Sequence, residues 1–495
     1  MPASYEIAVA RMYSLGHELA QTPSHKFDPA HMRVLLAALE NPERRFPAVL
    51  IAGTNGKGST AATLASILRA SGLRVGLYTS PHLVEINERI QINGEQISNE
   101  KFALLHDVVE RTAERLVEDG ELPWHPSFFE MLTAMAFEYF ATGKVEIGVL
   151  EVGMGGRLDA TNVAEPLVSV ITDISLDHQK FLGNTIAEIA REKVGIIRPN
   201  GVVVTLPQSP PANDIIGNAI LEREARAISA VSYVPPVSPK AEDYFQRATK
   251  PLTAENAEPG AESAEKNVRG PIARYPLQVM GKQIQVETPL VGRHQLRNVA
   301  LAIATAEELS KQRFAITPES IQRGIRETCW PGRFQVLPAS QGGPEFVLDV
   351  AHNPAGAWAL RSTLSTCYED RRIIFVFGAM RDKAISEIAE ILFPLAERII
   401  VTRADNPRSA SPEEIRDAAV RAQAEIELAA DVVSAVERAR EVAFSGELVA
   451  DGVSRASLGG QPGAAVSTCA VVVITGSIYV VGEAMRALGA GGDGE

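Results

Sequence analysis

The segment Val49-Leu50-Ile51-Ala52-Gly53-Thr54-Asn55-Gly56-Lys57-Gly58-Ser59-Thr60 decides how this 495-residue chain is read. Its four apolar residues read as a buried strand, Gly53, Gly56 and Gly58 as a tight turn, and Leu64, Ile67 and Leu68 beyond it as the apolar side of a helix. A strand, a glycine-rich turn and a helix have the mechanics of a phosphate-binding loop. Glycines let the backbone curl so that its N–H groups and the helix N-terminus face anionic oxygens, and Lys57 adds a positive charge. Thr54, Asn55, Gly56, Lys57, Gly58 and Ser59 are therefore candidate nucleotide-binding residues. The usual pattern places a Ser or Thr directly after the lysine to ligate magnesium, whereas Gly58 stands here. Ser59, Thr60 or another loop must supply that ligand. The next strand-like run ends in Tyr78-Thr79-Ser80-Pro81-His82 and puts Ser80 at the neighbouring carboxyl edge, within reach of a metal; a serine before proline equally suits a plain turn.

Working outward, Arg74 to Thr79, Ile147 to Val152 and Val168 to Asp173 repeat the buried-strand reading between helix-length amphipathic stretches. Parallel strands covered by helices on both faces read as continuous apolar runs, and ligands collect at their carboxyl ends. A second α/β block follows Pro331, with strand-like Glu345 to Val350, Arg372 to Phe377, Arg398 to Thr402 and Ala470 to Ile474. The expected architecture is α/β, a P-loop parallel-sheet ATPase domain over residues 1–328 followed by a smaller α/β domain over 329–495. Pro235 to Gly270 lacks apolar periodicity and reads as an insertion or mobile loop, and Ser445 to Gly463 as a Gly/Ala/Ser-rich surface loop.

With 61 acidic and 48 basic residues the net charge is -13, which disfavours a nucleic-acid partner. Cys329, Cys367 and Cys469 are the only cysteines and have no metal-ligand spacing, so neither a disulfide scaffold nor a thiolate zinc site is expected. Met1 to Ala20 lacks the apolar centre of a signal peptide, and the longest apolar stretches are too short to span a bilayer. These features imply a cytoplasmic protein with no membrane anchor.

The loop Gly53-Thr54-Asn55-Gly56-Lys57-Gly58-Ser59 followed by Thr79-Ser80-Pro81-His82 resembles the folylpolyglutamate synthase and dihydrofolate synthase family of the Mur ligase superfamily. Glu151-Val152-Gly153-Met154-Gly155-Gly156-Arg157-Leu158-Asp159-Ala160-Thr161-Asn162 is similar to the family's second signature. Leu176-Asp177-His178 with Glu192-Lys193-Val194-Gly195-Ile196-Ile197 is similar to its third. Further on, Gly292-Arg293-His294-Gln295-Leu296-Arg297-Asn298, Trp330-Pro331-Gly332-Arg333 and Leu348-Asp349-Val350-Ala351-His352-Asn353-Pro354 resemble family segments, with Val350 where the family has glycine.

The resemblance implies one magnesium held by Ser80, Glu151 and His178. Glu151 also suits a metal on physical grounds, because a carboxylate abutting a buried apolar run needs a partner. Lys193, on the residues alone, compensates the dipole at the end of an amphipathic helix over Ile186 to Ile197; the resemblance implies instead a carbamylated lysine holding a second magnesium. It also implies nucleotide contacts from Asn298, Arg333 and Asp349, and catalytic roles for Lys57, Lys193 and His352. The pterin-bearing substrate is implied to meet Ser127, Phe128, Phe129 and Glu130 with Leu158, Asp159 and Ala160 opposite; paired aromatics equally suit a core. The implied activity is ligation of L-glutamate to dihydropteroate or a reduced folate, driven by ATP through an acyl phosphate, in a monomer. A Mur-type ligase of cell-wall precursors and a P-loop switch protein without ligase activity are the rivals.

Overall fold

The computed structural model describes residues 4–16, 29–236, 245–246, 271–339, 343–422, 424–450 and 470–490. By internal contacts the chain divides into two units. The first comprises Met1–Val237, Tyr275–Glu287 and His294–Cys329, the second Ser238–Arg274, Thr288–Arg293 and Trp330–Glu495.

The first unit is built on eight strands: β1 (Ala48–Ala52), β2 (Val75–Tyr78), β3 (Ile90–Ile92), β4 (Glu95–Gln96), β5 (Ile147–Glu151), β6 (Pro166–Ile171), β7 (Val202–Thr205) and β8 (Arg226–Ser229). Their order is β4-β3-β2-β5-β1-β6-β7-β8. The six strands from β2 to β8 run parallel, while β3 and β4 turn back antiparallel at one edge. β1 and β5 are buried along their whole length, which is why they carry no polar alternation. Helices α1 (Tyr5–Ser14), α2 (Pro29–Ala38), α3 (Lys57–Ala70), α4 (Asn99–Glu118), α5 (Phe128–Thr142), α6 (Gln179–Leu182), α7 (Ile186–Lys193) and α8 (Pro210–Glu222) follow in order, with α9 (Arg293–Ser310) and α10 (Pro318–Arg326) later in the chain. The core joins Leu50 and Leu150 of the sheet to Phe46, Phe137 and Phe140, none more than 6% exposed. Each such side chain contributes about 1.5–3 kcal/mol by leaving water.

A small antiparallel sheet contains β9 (Phe245–Gln246), β10 (Ile272–Val279) and β11 (Lys282–Thr288). The second unit has strands β12 (Gln335–Leu337), β13 (Glu345–Leu348), β14 (Ile373–Phe377), β15 (Arg398–Val401), β16 (Ile426–Leu428) and β17 (Val471–Thr475), ordered β12-β13-β17-β14-β15-β16. All neighbours are parallel except β12 with β13. Helices α11 (Pro354–Cys367), α12 (Ile385–Leu392), α13 (Pro412–Ala418), α14 (Val432–Ala450) and α15 (Ile478–Ala487) complete it. Phe377 meets Phe393 edge-on at 5.3 Å in its core.

One loop expectation needs correction. Residues 445–450 continue α14 rather than opening a loop, despite the weak helix formers Ser445 and Gly446. The remainder of that expected loop, 451–463, lies outside the described residues. Within the expected insertion, Phe245 and Gln246 pair antiparallel with Ala273 and Ile272, and most of the rest lies outside the described residues. The helix expected over Ile186 to Ile197 is α-helical only to Lys193 and closes with a 3-10 turn over Val194–Ile196.

Candidate active site

Strand register brings the first unit's motif residues to one edge. Tyr78 pairs with Leu150 and Ile51 with Glu151, while Ala52 pairs with Ile171 on the other side. The residues after β2, β5, β1 and β6 therefore emerge side by side at the carboxyl ends of four adjacent parallel strands, where α/β sheets bind ligands.

The phosphate loop is braced from below. The amides of Thr54 and Asn55 both donate to the Asp173 carbonyl, at 2.8 and 3.1 Å. The Thr54 hydroxyl donates to the Ser175 carbonyl and the Asn55 side-chain amide to the Ser175 hydroxyl, each at 3.0 Å. Asp173 is itself clasped by Arg297, whose Nη2 stands 2.6 Å from Oδ1. Thr54 and Asn55 thus spend these donors on the neighbouring loop. The amides of Lys57, Gly58 and Ser59, in the first turn of α3, have no helical carbonyl four residues back and form the natural anion cradle. Gly56 precedes them with φ +87°, and a Cβ there would come 2.2 Å from Asn298 Oδ1, so only glycine fits. Asn298 is 3% exposed, and its carbonyl lies 3.5 Å from the Thr60 hydroxyl. Asp173, Ser175 and the brace role of Arg297 were not visible in the sequence, since the partners lie over 100 residues from the loop they hold.

Two lysines converge on this loop. Lys57 Nζ donates to the Thr54 carbonyl at 3.1 Å, and Lys193 Nζ to the Gly53 carbonyl at 2.6 Å. Lys193 is 4% exposed, so its ammonium leaves the end of its own helix and points into the site; dipole compensation does not account for it. Burial, reinforced by the positive charge of Lys57 and opposed by Asp177 and Asp159, brings its pKa down to about 7. At the end of the neighbouring strand β5, the Glu151 carboxylate is 4% exposed and accepts the Ser80 amide at 3.1 Å. His178, the residue just before α6, takes a left-handed conformation, φ 50°, on the loop that also carries Asp173 and Ser175.

The implied acceptor-side residues are local organisers. Ser127 and Glu130 form a reciprocal capping box at the start of α5. Phe128 is 3% exposed and stacks on Tyr13, with Arg89 also over its ring. Phe129 is 8% exposed and packs against Tyr78. Asp159, buried, accepts the amides of Met154 and Thr161 at 3.0 Å and the Thr161 hydroxyl at 2.5 Å; burial pushes its carboxyl above the usual range. It caps the turn beginning at Ala160, and half-buried Leu158 precedes it.

In the second unit, Asp349 follows β13 with both oxygens committed, accepting the Phe334 amide and the Ala351 amide at 2.9 Å. Burial raises its pKa against the opposing charge of Arg333. His352 Nδ1 donates to the Val350 carbonyl at 2.9 Å, because a carbonyl only accepts. Val350 takes no left-handed conformation, and its amide donates to the Gly332 carbonyl at 3.0 Å, so a side chain in place of the family's glycine is accommodated. Arg333 holds its guanidinium 5.8 Å from the Trp330 ring.

Comparison with known proteins agrees with this geometry. Residues 130–306 match the Mur ligase middle domain, and residues 332–450 the Mur ligase glutamate ligase domain. A dihydrofolate synthase/folylpolyglutamate synthase of Bacillus subtilis is 36% identical over 391 residues, 78% of this chain and 83% of that protein. A protein of the same description from Mycobacterium tuberculosis is 31% identical over 97% of this chain and 94% of its own length. The solved Mycobacterium tuberculosis folylpolyglutamate synthase with ADP and AMPPCP superposes with a TM-score of 0.80 at 30% identity, covering 99% of this chain and 100% of that one. An FPGS–AMPPCP–folate complex superposes at 0.73 with 28% identity, covering 98% and 100%.

Proposed function

The chain belongs to the folylpolyglutamate synthase/dihydrofolate synthase family of Mur ligases, and from that membership we propose how its residues divide the work of joining glutamate to a folate. It is an ATP-dependent ligase that attaches L-glutamate to folates. The rival readings as a cell-wall ligase or a switch protein give way to this membership.

A carboxylate is a poor acylating agent. Its oxygen attacks the γ-phosphorus of ATP, the bond to the bridging oxygen breaks, and ADP departs with that electron pair. The resulting acyl phosphate is attacked at its carbonyl carbon by the glutamate amine; the C–O bond breaks, phosphate leaves, and the amine nitrogen loses a proton. The Gly56–Ser59 backbone and Lys57 bind and orient the phosphates, while Thr54 and Asn55 keep that loop in shape for it. Arg333, Asp349 and Asn298 are read as further nucleotide contacts, and His352 as a catalytic site residue. Ser127, Phe128, Phe129 and Glu130, with Leu158, Asp159 and Ala160, are read as the acceptor side.

Among the described residues no three His, Cys, Asp or Glu side chains form a ready-made metal cage. The donors present suit magnesium, which commonly takes one or two carboxylates and completes its shell with water and substrate phosphate. Ser80, Glu151 and His178 would hold one ion. Lys193 would hold a second after its neutral amine adds CO2, forming a carbamate and releasing a proton. When bound, magnesium spreads the negative charge of the transferred phosphoryl group. The single observation behind this reading is the meeting of Lys57, buried Lys193 and the Ser80–Glu151 pair at one sheet edge.

We read both dihydropteroate and reduced folates as acceptors, and the enzyme as a cytoplasmic monomer. Among the described residues no helix is long and apolar enough to cross a membrane. Incubation with each acceptor, ATP and L-glutamate should give ADP release that depends on glutamate, and a product heavier by one glutamyl residue. ADP release indifferent to glutamate would discard the proposal.

A further inference from the structure

Two residues beyond Ser80, His82 joins a cluster drawn from separate elements. Its Nδ1 accepts the Nε–H of Arg89 at 2.8 Å, and its Nε2 lies 3.3 Å from the Tyr13 hydroxyl. Because the arginine nitrogen only donates, Nδ1 carries the lone pair, and in the neutral ring Nε2 directs its hydrogen toward Tyr13. Arg89 is 2% exposed, its guanidinium carbon stands 5.3 Å from the centre of the Phe128 ring, and its carbonyl accepts the Thr79 amide at 3.0 Å. The Tyr13 ring stacks on the same phenylalanine at 5.8 Å and 20°. Phe128 is the first residue of α5, directly after its Ser127 cap. Both nitrogens of His82 thus lead to residues resting on Phe128, while Ser80 presents its amide to Glu151.

We propose that His82 is a positioning residue that ties the Ser80 loop to the first turn of α5 and so makes metal affinity and acceptor affinity depend on one another. The inference rests on the reading of Ser80 as a metal ligand and of Ser127–Glu130 as the acceptor side. A buried guanidinium held by an imidazole nitrogen and an aromatic face has few alternative arrangements, because any departure leaves a desolvated N–H unpaired. A shift of the Ser80 loop is therefore passed to Phe128 rather than absorbed between them. Coupling of this kind is reciprocal: whatever the acceptor does to magnesium affinity, magnesium does to acceptor affinity.

The test uses the full-length enzyme and measures half-saturating Mg2+ at low and saturating acceptor, together with acceptor KM at low and saturating Mg2+. In the unmodified enzyme each ligand should lower the other's half-saturation about tenfold. In His82→Ala that factor should fall to near unity while the KM for glutamate holds. His82→Asn, which keeps an oxygen to accept from Arg89, should restore most of the factor. Should His82→Ala fail to fold, Tyr13→Phe removes one arm of the cluster and should shrink the factor on its own. A lower Tm with the factor intact overturns the inference, as does an unmodified enzyme without coupling. Ser80→Ala separates the two layers. If it leaves half-saturating Mg2+ unchanged, the metal reading falls and takes this inference with it; if it raises that value while His82→Ala leaves the factor intact, the inference alone is lost.

Discussion

The carboxyl edges of the two large sheets invite comparison. Both end parallel strands in glycine turns and capped helices, yet they use their charged residues differently. At the first edge Lys193 and Glu151 are buried to within 4% exposure, with Lys57 close by, so charge is concentrated where water is scarce. At the second edge Asp349 gives both carboxylate oxygens to backbone amides, while Asn353 and Ser477 cap α11 and α15. Electrostatic interactions strengthen as water is excluded, so the first edge can act on a phosphoryl group in flight. The second edge invests the same residue types in holding its own loops. Similar architecture therefore does not assign similar work; the test is where each polar atom's hydrogen bonds already go.

This contrast can be broken in order of expected effect. Lys57→Ala should lower kcat by about 10²–10³-fold with little change in Tm, since the side chain's contact is with its own loop. A large Tm loss with kcat preserved would place Lys57 with the structural residues. Lys193→Arg, which keeps charge but cannot form the carbamate, should cost about 10²-fold and abolish stimulation by bicarbonate. In the unmodified enzyme that stimulation should grow as pH rises through about 7, because the neutral amine is the form that adds CO2; stimulation that grows on acidification would contradict it. Asp349→Ala should show itself first in stability, by about 2–5 kcal/mol in denaturant unfolding, since two buried amides lose their acceptor. Unchanged stability with lost turnover would erase the distinction between the edges.

The smallest effect comes from a pair to which neither edge's proposed chemistry assigns a role. His125 Nε2 stands 3.3 Å from Glu110, and its Nδ1 lies 2.9 Å from the Pro126 carbonyl, so only the doubly protonated ring can donate to both. Glu110 holds the His125 pKa above its ordinary value, against the effect of burial. A raised folded-state pKa gives stability that is complete below the unfolded value of about 6.5 and disappears as pH rises through the folded value. His125→Gln should cost about 0.5–1 kcal/mol at pH 6 and little at pH 9, leaving kcat in place. A cost independent of pH would show that the pair contributes only by packing.

Long buried strands were legible in the sequence because parallel strands under two helical layers must be apolar throughout, as Ala48–Ala52 and Ile147–Glu151 are. Strands β3, β4, β8 and β16 were not, being two to four residues long, mostly at sheet edges, and polar enough to pass for loops. Within the site, Lys57 and Glu151 could be placed by their position at strand and helix ends, whereas Lys193 read locally as dipole compensation and entered the candidate site only through the family resemblance. The bracing role of Thr54 and Asn55 could not, because it depends on Ser175, some 120 residues away in sequence. Resemblance to a family pointed to Phe128 and Phe129, but their burial follows from tertiary packing that no local pattern encodes.

The approach of Asn298 to Gly56 has a consequence for how this enzyme can change. A mutational library opened at position 56 alone should return only glycine, since any side chain meets the asparagine amide at 2.2 Å. Shrinking Asn298 would clear the space yet leave a backbone at φ +87° that few other residues tolerate. Drift at this spot is thus blocked twice over, by crowding and by chirality, and the loop is a poor place to begin redesigning nucleotide preference.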